Sequence, residues 1–190
     1  GGQLNHAYGL SSTVAGGFAN NATGQDSSAG GGSYNTVQGD FSIIAGGREN
    51  YLGTNIVDAG FSIVTNFANY SVVSGGRLNR AVSSDSGVGS GYLNQAAGDY
   101  SVIGGGQQNV VGILSSLSGA STHGVIGGGE QNLNRGSHGT ISGGGFNYIS
   151  DAANYATVLG GKGNSVAGNY SVALGTDAVA SQALGLVQGA

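Results

Sequence analysis

The sequence predicts an all-β chain wound as a parallel β-solenoid, a roll of about twelve coils of about 15 residues each. Three observations predict it. A G-G-x-x-N phrase recurs at a near-constant period along the 190 residues. Within each period, two short runs alternate apolar and polar residues between glycines, the pattern of half-buried strands. No stretch shows the 3.6-residue period of a helix, and two strands in each repeat leave too little chain for the helix of a βαβ unit.

The period is read from the asparagine of the phrase, which falls at Asn5, Asn20, Asn35 and Asn50, then at Asn79, Asn94 and Asn109, then at Asn132, Asn147 and Asn164. Most steps equal the one from Asn5 to Asn20. The step from Asn50 to Asn79 is 29, which is read as room for one degenerate coil around Phe61-Ser62-Ile63-Val64, with a small interruption at Thr54 to Gly60. The step from Asn109 to Asn132 is 23, so an eight-residue insertion falls within Ile113 to Thr122. A last unit, SVALGTDAVA, keeps the register without the asparagine.

Each unit divides into two strands. The first runs aromatic-Ser-x-apolar-small-Gly, as in Tyr100-Ser101-Val102-Ile103-Gly104-Gly105, and the second runs Asn-x-apolar-x-Gly, as in Asn109-Val110-Val111-Gly112. Side chains two apart share a face of a strand. The serine column (Ser12, Ser27, Ser42, Ser71, Ser101, Ser171) therefore faces inward with Val14, Ala29, Ile44, Val73, Val88, Ile103, Ile126, Ile141, Val158 and Ala173. The asparagines face inward with Ala7, Ala22, Val37, Leu52, Ala81, Ala96, Val111, Ile149 and Val166. A roll this thin has room only for small and β-branched residues. Its buried amides need partners, and a ladder of stacked asparagines running from coil to coil supplies them. The reversals between strands fall on glycine, which reaches positive φ without strain, and Gly46, Gly75, Gly105, Gly128, Gly143 and Gly160 are read as these corners.

The unit SVALGTDAVASQALG, Ser171 to Gly185, resembles the head repeat of YadA-like trimeric autotransporter adhesins, whose pattern is close to SVAIGxxAxAxG. The G-G-x-x-N units upstream resemble a variant of that repeat in bacterial surface adhesins and phage tail fibres, and stand where the adhesin heads have GxxAxA. The periodicity extends the resemblance over nearly the whole chain, although the close motif match covers the last unit alone. The resemblance implies a left-handed parallel β-roll assembled as a homotrimer, an extracellular setting on a bacterial surface or a phage virion, and a role in attachment. With no initiating methionine or signal peptide and a start at Gly1-Gly2-Gln3-Leu4-Asn5, partway through a repeat, the chain is expected to be one repeat domain, 1–190, within a longer fibrous protein.

The outward columns support association independently. Phe41, Tyr70, Tyr100 and Tyr170 precede the serine, and Ile43, Val72, Val102 and Val172 follow it, so rings and branched aliphatics line one outer face. A bare stripe of this kind marks an interaction surface, and these eight residues are the expected inter-chain contacts. The plainer reading is that each ring shields the corner of its own coil.

Composition excludes several other functions. Five basic against nine acidic side chains, for a net charge of −4, argue against a nucleic-acid groove. No segment approaches the roughly 20 apolar residues of a membrane span. Glycine makes up 41 residues but without the every-third spacing and proline of collagen. The glycine runs precede no helix and no G-K-[ST], so they are not phosphate loops. His123 and His138 share the aromatic column one period apart, with no third ligand in view, and the carboxylates do not pair in register. No metal, cofactor or catalytic residue is assigned, and the chain is read as a non-enzyme. Asn21-Ala22-Thr23, Asn69-Tyr70-Ser71 and Asn169-Tyr170-Ser171 match the glycosylation pattern, two of them as a by-product of the repeat.

The expected function is that of a structural and adhesive fibre segment. Insertions in solenoids map to loops that often carry recognition, so Ile113, Leu114, Ser115, Ser116, Leu117 and Thr122 are the expected contacts to a cell-surface receptor or glycan. The alternative is an ice-binding β-roll, since some plant antifreeze proteins have similar xxNxVxG half-units. An ice face calls for a regular array of threonine, whereas the outer column here mixes Ile, Val, Thr and Ser.

Overall fold

A computed structural model describes residues 1–53, 68–112 and 122–190. Among these residues the chain winds through two parallel sheets of eleven strands each, and every strand except those at the sheet ends pairs with the strands one coil before and one coil after it. One sheet runs from Thr13–Val14 to Leu186–Gln188, the other from His6–Ala7 to Val179–Ala180. At the inter-strand spacing of about 4.8 Å, eleven coils form a rod of roughly 50 Å. No helix among the described residues is long and apolar enough to cross a membrane.

The inward columns meet between the sheets. Ala29 with Val37, Ile44 with Leu52, Ile103 with Val111 and Ile141 with Ile149 are fully buried, coil after coil, as period-two alternation requires. The asparagine ladder is complete in the middle of the rod. The Asn109 backbone N–H and Nδ2 both donate to Asn94 Oδ1, at 3.0 and 3.1 Å, and Nδ2 also faces the carbonyls of Gly105 and Gly129 at 3.0 and 2.8 Å. Asn109 Oδ1 in turn accepts from the N–H and Nδ2 of Asn132 at 3.1 and 3.0 Å. Each such amide closes its own corner and bonds the coils on either side, so its buried donors and acceptor are all met.

The opposite corner carries a second ladder of the reverse sense. There a backbone N–H donates forward to a side-chain oxygen in the next coil: Gln25 to Asp40 at 2.8 Å, Asp40 to Asn69 at 2.9 Å, Ser137 to Asn154 at 3.1 Å and Asn154 to Asn169 at 2.7 Å. The buried serines assist. Ser42 Oγ donates to the Ala68 carbonyl at 2.7 Å and accepts from the Ser71 N–H at 3.1 Å.

Three expectations are corrected. Ile43 pairs directly with Val72 and Tyr51 with Arg80, and eleven coils stack among the described residues, against about twelve expected. Phe61-Ser62-Ile63-Val64, the expected degenerate coil, lies outside the described residues. Five of the six expected corner glycines lie at bends, but the positive φ falls one residue later. Positive φ belongs to Gly47, Gly76, Gly106, Gly129 and Gly144, whereas Gly46, Gly75, Gly105, Gly128 and Gly143 lie outside the left-handed region and have room for a Cβ. The reason is contact between coils, since a Cβ on Gly106 would collide with the Gly129 carbonyl oxygen. Gly160, with φ of 144°, is the one expected corner that does take a positive φ, and it too has open space around it.

The third correction is that corners are not glycine's alone. The ring column adopts φ near +55°, with Phe41 at 54°, Tyr70 at 56°, Tyr100 at 58° and Tyr170 at 55°. Left-handed backbone costs a non-glycine residue about 1–2 kcal/mol. Each corner recovers a coil-to-coil hydrogen bond, as from the Tyr100 N–H to the Ser84 carbonyl at 3.1 Å and from the Tyr170 N–H to the Asn154 carbonyl at 2.9 Å.

Candidate interaction surface

The left-handed corner fixes where the rings go. Identical backbone geometry in successive coils launches each side chain in the same direction one strand spacing apart, so rings in register must stack. Tyr100, His123, His138, Tyr155 and Tyr170 form one continuous stack, with centroids 4.9, 4.7, 4.6 and 5.0 Å apart and planes within 14° of parallel. Phe41 and Tyr70 form a separate pair at 5.1 Å. Asp85 holds the position between Tyr70 and Tyr100 and divides the column.

Beside this ladder runs the outward column of the adjoining sheet. Ile43, Val72 and Val102 are exposed there, as are Phe41, Tyr70, Tyr100 and Tyr170 at the corner, with Tyr70 at 59% and Val72 at 42%. Val172 is half-buried. All eight expected contacts therefore lie on one strip of the rod, in two adjacent columns. Of the expected receptor loop, Thr122 is half-buried at the ladder corner, where its N–H reaches Ser137 Oγ at 3.4 Å. Ile113, Leu114, Ser115, Ser116 and Leu117 lie outside the described residues.

Stacking changes what the strip offers. Ring faces inside the ladder are covered by neighbouring rings, so the surface presents ring edges, phenol hydroxyls and imidazole nitrogens.

The other side of the rod has a different character. Four of the five basic side chains lie over rings there: Arg77 over Tyr92 at 5.7 Å, Arg80 over Tyr51 at 5.9 Å, Arg135 over Tyr148 at 6.0 Å and Lys162 over Phe146 at 5.6 Å. The fifth, Arg48, pairs with Glu49 at 3.0 Å, and Glu49 also approaches Arg77 at 3.7 Å. Each cation is thus matched within the surface, mostly through contacts of the cation–π kind.

Two features escaped sequence reasoning. Asn134 occupies the apolar column between Val111 and Ile149 and is fully buried, its Nδ2 donating to the Gly139 carbonyl at 2.7 Å. Gly124 and Gly139, standing where most other coils carry serine, make room for it; a Cβ at Gly139 would strike Asn134 Oδ1. The signal was present, because the two units on either side of Asn134 both carry glycine at the serine position. The aromatic residues that meet the cations were also legible, since Tyr51 and Arg80 occupy the same column.

No group of three or more His, Cys, Asp or Glu side chains converges among the described residues. No protein-family model matches the chain, and no curated protein matches it in sequence.

Proposed function

We propose that this chain is a structural and adhesive fibre segment: a rigid rod that associates as a homotrimer, stands outside the cell on a bacterial surface or phage virion, and mediates attachment to a receptor or glycan. The observation that carries the reading is the strip of exposed rings and aliphatics, Phe41, Ile43, Tyr70, Val72, Tyr100 and Val102, running along one side of the rod. Exposed apolar surface extended in this way is stabilised when a neighbouring chain covers it. The opposite side, where cations lie over rings, remains for solvent or receptor. An ice-binding role draws less support, because threonine appears in the outward column at Thr13, Thr140 and Thr157 but gives way to Ile43, Val72, Val102 and Val125 between them.

The test is the native mass in solution by sedimentation equilibrium. The reading expects three times the 18.4 kDa of one chain. A mass of one chain at micromolar concentration would remove the trimer and, with it, the main support for a fibre.

A further inference from the structure

We infer that Arg77 and Tyr92 form the centre of a saccharide site on the asparagine corner, one that takes a pyranose ring bearing a carboxylate. The inference rests on the attachment role proposed above and names the ligand class. This corner is the edge of the rod opposite the ring ladder, so chains that cover the strip leave it open.

Arg77 is held in place before any ligand arrives. Successive coils set Arg48, Arg77, Tyr92 and Gln107 in one column of bridged residues. The Arg77 guanidinium lies over the Tyr92 ring at 5.7 Å, and its Nε approaches Glu49 Oε2 at 3.7 Å. The ring takes one flat face of the cation and the carboxylate draws its Nε end. Among the described residues the guanidinium makes no hydrogen bond, and the side chain is 54% exposed. Its two terminal nitrogens are therefore free to act as parallel donors, which match the two oxygens of one carboxylate. A cation already positioned in this way pays less of the ordering cost on binding.

Charge balance selects an anion. Arg48 donates from Nε and Nη2 to Glu49 Oε1, at 3.1 and 3.0 Å, and so neutralises the one acid beside Arg77. The next acid in the column, Glu130, stands three coils from Arg77, about 14 Å away at the strand spacing. The lining selects the rest of the ligand. Tyr92 and Leu93, each 37% exposed, offer apolar surface next to the guanidinium, and the exposed Gln107 and Gln108 offer amide donors and acceptors one coil further on. A carboxylated pyranose carries an anion, a C–H face and hydroxyls on one rigid ring, whereas an acidic side chain of a peptide brings the carboxylate without the ring. The site is shallow and open to salt, so each copy binds weakly and ionic strength opposes it. Copies repeated in the proposed trimer raise the strength of attachment to a many-branched glycan.

The experiment is saturation-transfer NMR titration of the protein with methyl glucuronide and, separately, with methyl glucoside, acetate and a glutamate-rich hexapeptide. The glucuronide should bind about fivefold or more tighter than the neutral glucoside, which lacks the carboxylate, and than acetate, which lacks the ring. Arg77→Gln should weaken glucuronide binding about tenfold. Arg77→Lys, which keeps the charge and loses the paired donors, should weaken it as well, and so should Tyr92→Leu. Lys162→Gln removes a cation that lies over Phe146 elsewhere in the same column and should leave binding unchanged. Far-UV circular dichroism of each variant checks that the coils persist. Glucoside, acetate or hexapeptide bound as tightly as the glucuronide, binding that survives Arg77→Gln, or binding lost equally with Lys162→Gln would each overturn the site. The titration reads the sugar and sedimentation reads the assembly, so failure of the site is told apart from failure of the fibre.

Discussion

Substituting alanine at Gly105 and at Gly106 separates two accounts of why the chain is rich in glycine. At Gly106 the φ of 91° lies beyond the left-handed well that other residues reach. A Cβ there would also collide with the Gly129 carbonyl and stand 2.8 Å from both Asn109 Nδ2 and the Gly129 nitrogen. Those atoms carry the ladder, because the Gly129 carbonyl accepts from Asn109 Nδ2 at 2.8 Å and from the Gln107 N–H at 2.9 Å. Backbone strain of about 1–2 kcal/mol and two weakened hydrogen bonds at about 1 kcal/mol each give a loss of about 3–4 kcal/mol. At Gly105 the nearest atom to a Cβ is the Ser90 carbonyl oxygen at 3.5 Å, an ordinary contact, and φ is outside the left-handed region. Alanine there should be neutral or stabilise by up to about 1 kcal/mol through the unfolded chain. Urea unfolding followed by circular dichroism reads both variants. Equal midpoints would refute the argument that contact between coils, and not glycine content as such, selects the corner.

Further outcomes follow from the ladders and rings. Asn109→Ala removes the acceptor for the Asn132 N–H and the donor for two glycine carbonyls, and should cost about 3 kcal/mol or more in the same assay; Gln107→Ala, at the exposed surface just before it, should cost under about 0.5 kcal/mol. Tyr155→Asn keeps a residue tolerant of φ of 57° but deletes the stacks with His138 and Tyr170, so a loss of about 1–2 kcal/mol is expected on thermal unfolding. Replacing 113–121 by a two-residue link should leave the melting curve within a few degrees, because Val102 already pairs with Val125 and Val110 with Leu133 across that segment; if those residues carry recognition, attachment to cells falls.

The inward columns were legible because alternation within a strand and glycine at its ends leave one assignment of faces. Val37, Ile44, Ile103 and Ile149 are buried where the pattern puts them. The asparagine ladder was legible from the need to satisfy a buried amide. What failed depended on contacts between coils. A run such as Gly104-Gly105-Gly106 does not say which glycine faces the next carbonyl at the corner, and only the stacked geometry places the Gly129 carbonyl against Gly106. Tyr100 reads as a strand residue beside Ser101, yet it turns the corner, because the bond to Ser84 and the ring stack with His123 offset its backbone strain. Phe61-Ser62-Ile63 imitates the first half of a unit. Its neighbourhood lacks a G-G-x-x-N phrase, and it lies outside the described residues.

In the proposed assembly the strip containing Val102 is covered by other copies of the chain in solution. With no native cysteine in the sequence, single cysteines report cleanly on each face. Val102→Cys places a thiol on the strip, and Gln95→Cys places one on the outward column of the opposite sheet. The measurement is the rate of maleimide labelling of each thiol in the native protein, relative to its rate in urea. Val102→Cys should be protected at least tenfold more than Gln95→Cys, and that protection should disappear on dilution to the single chain. Equal labelling of the two thiols at concentrations where the protein is assembled would show that the strip stays bare and that no neighbouring chain covers it.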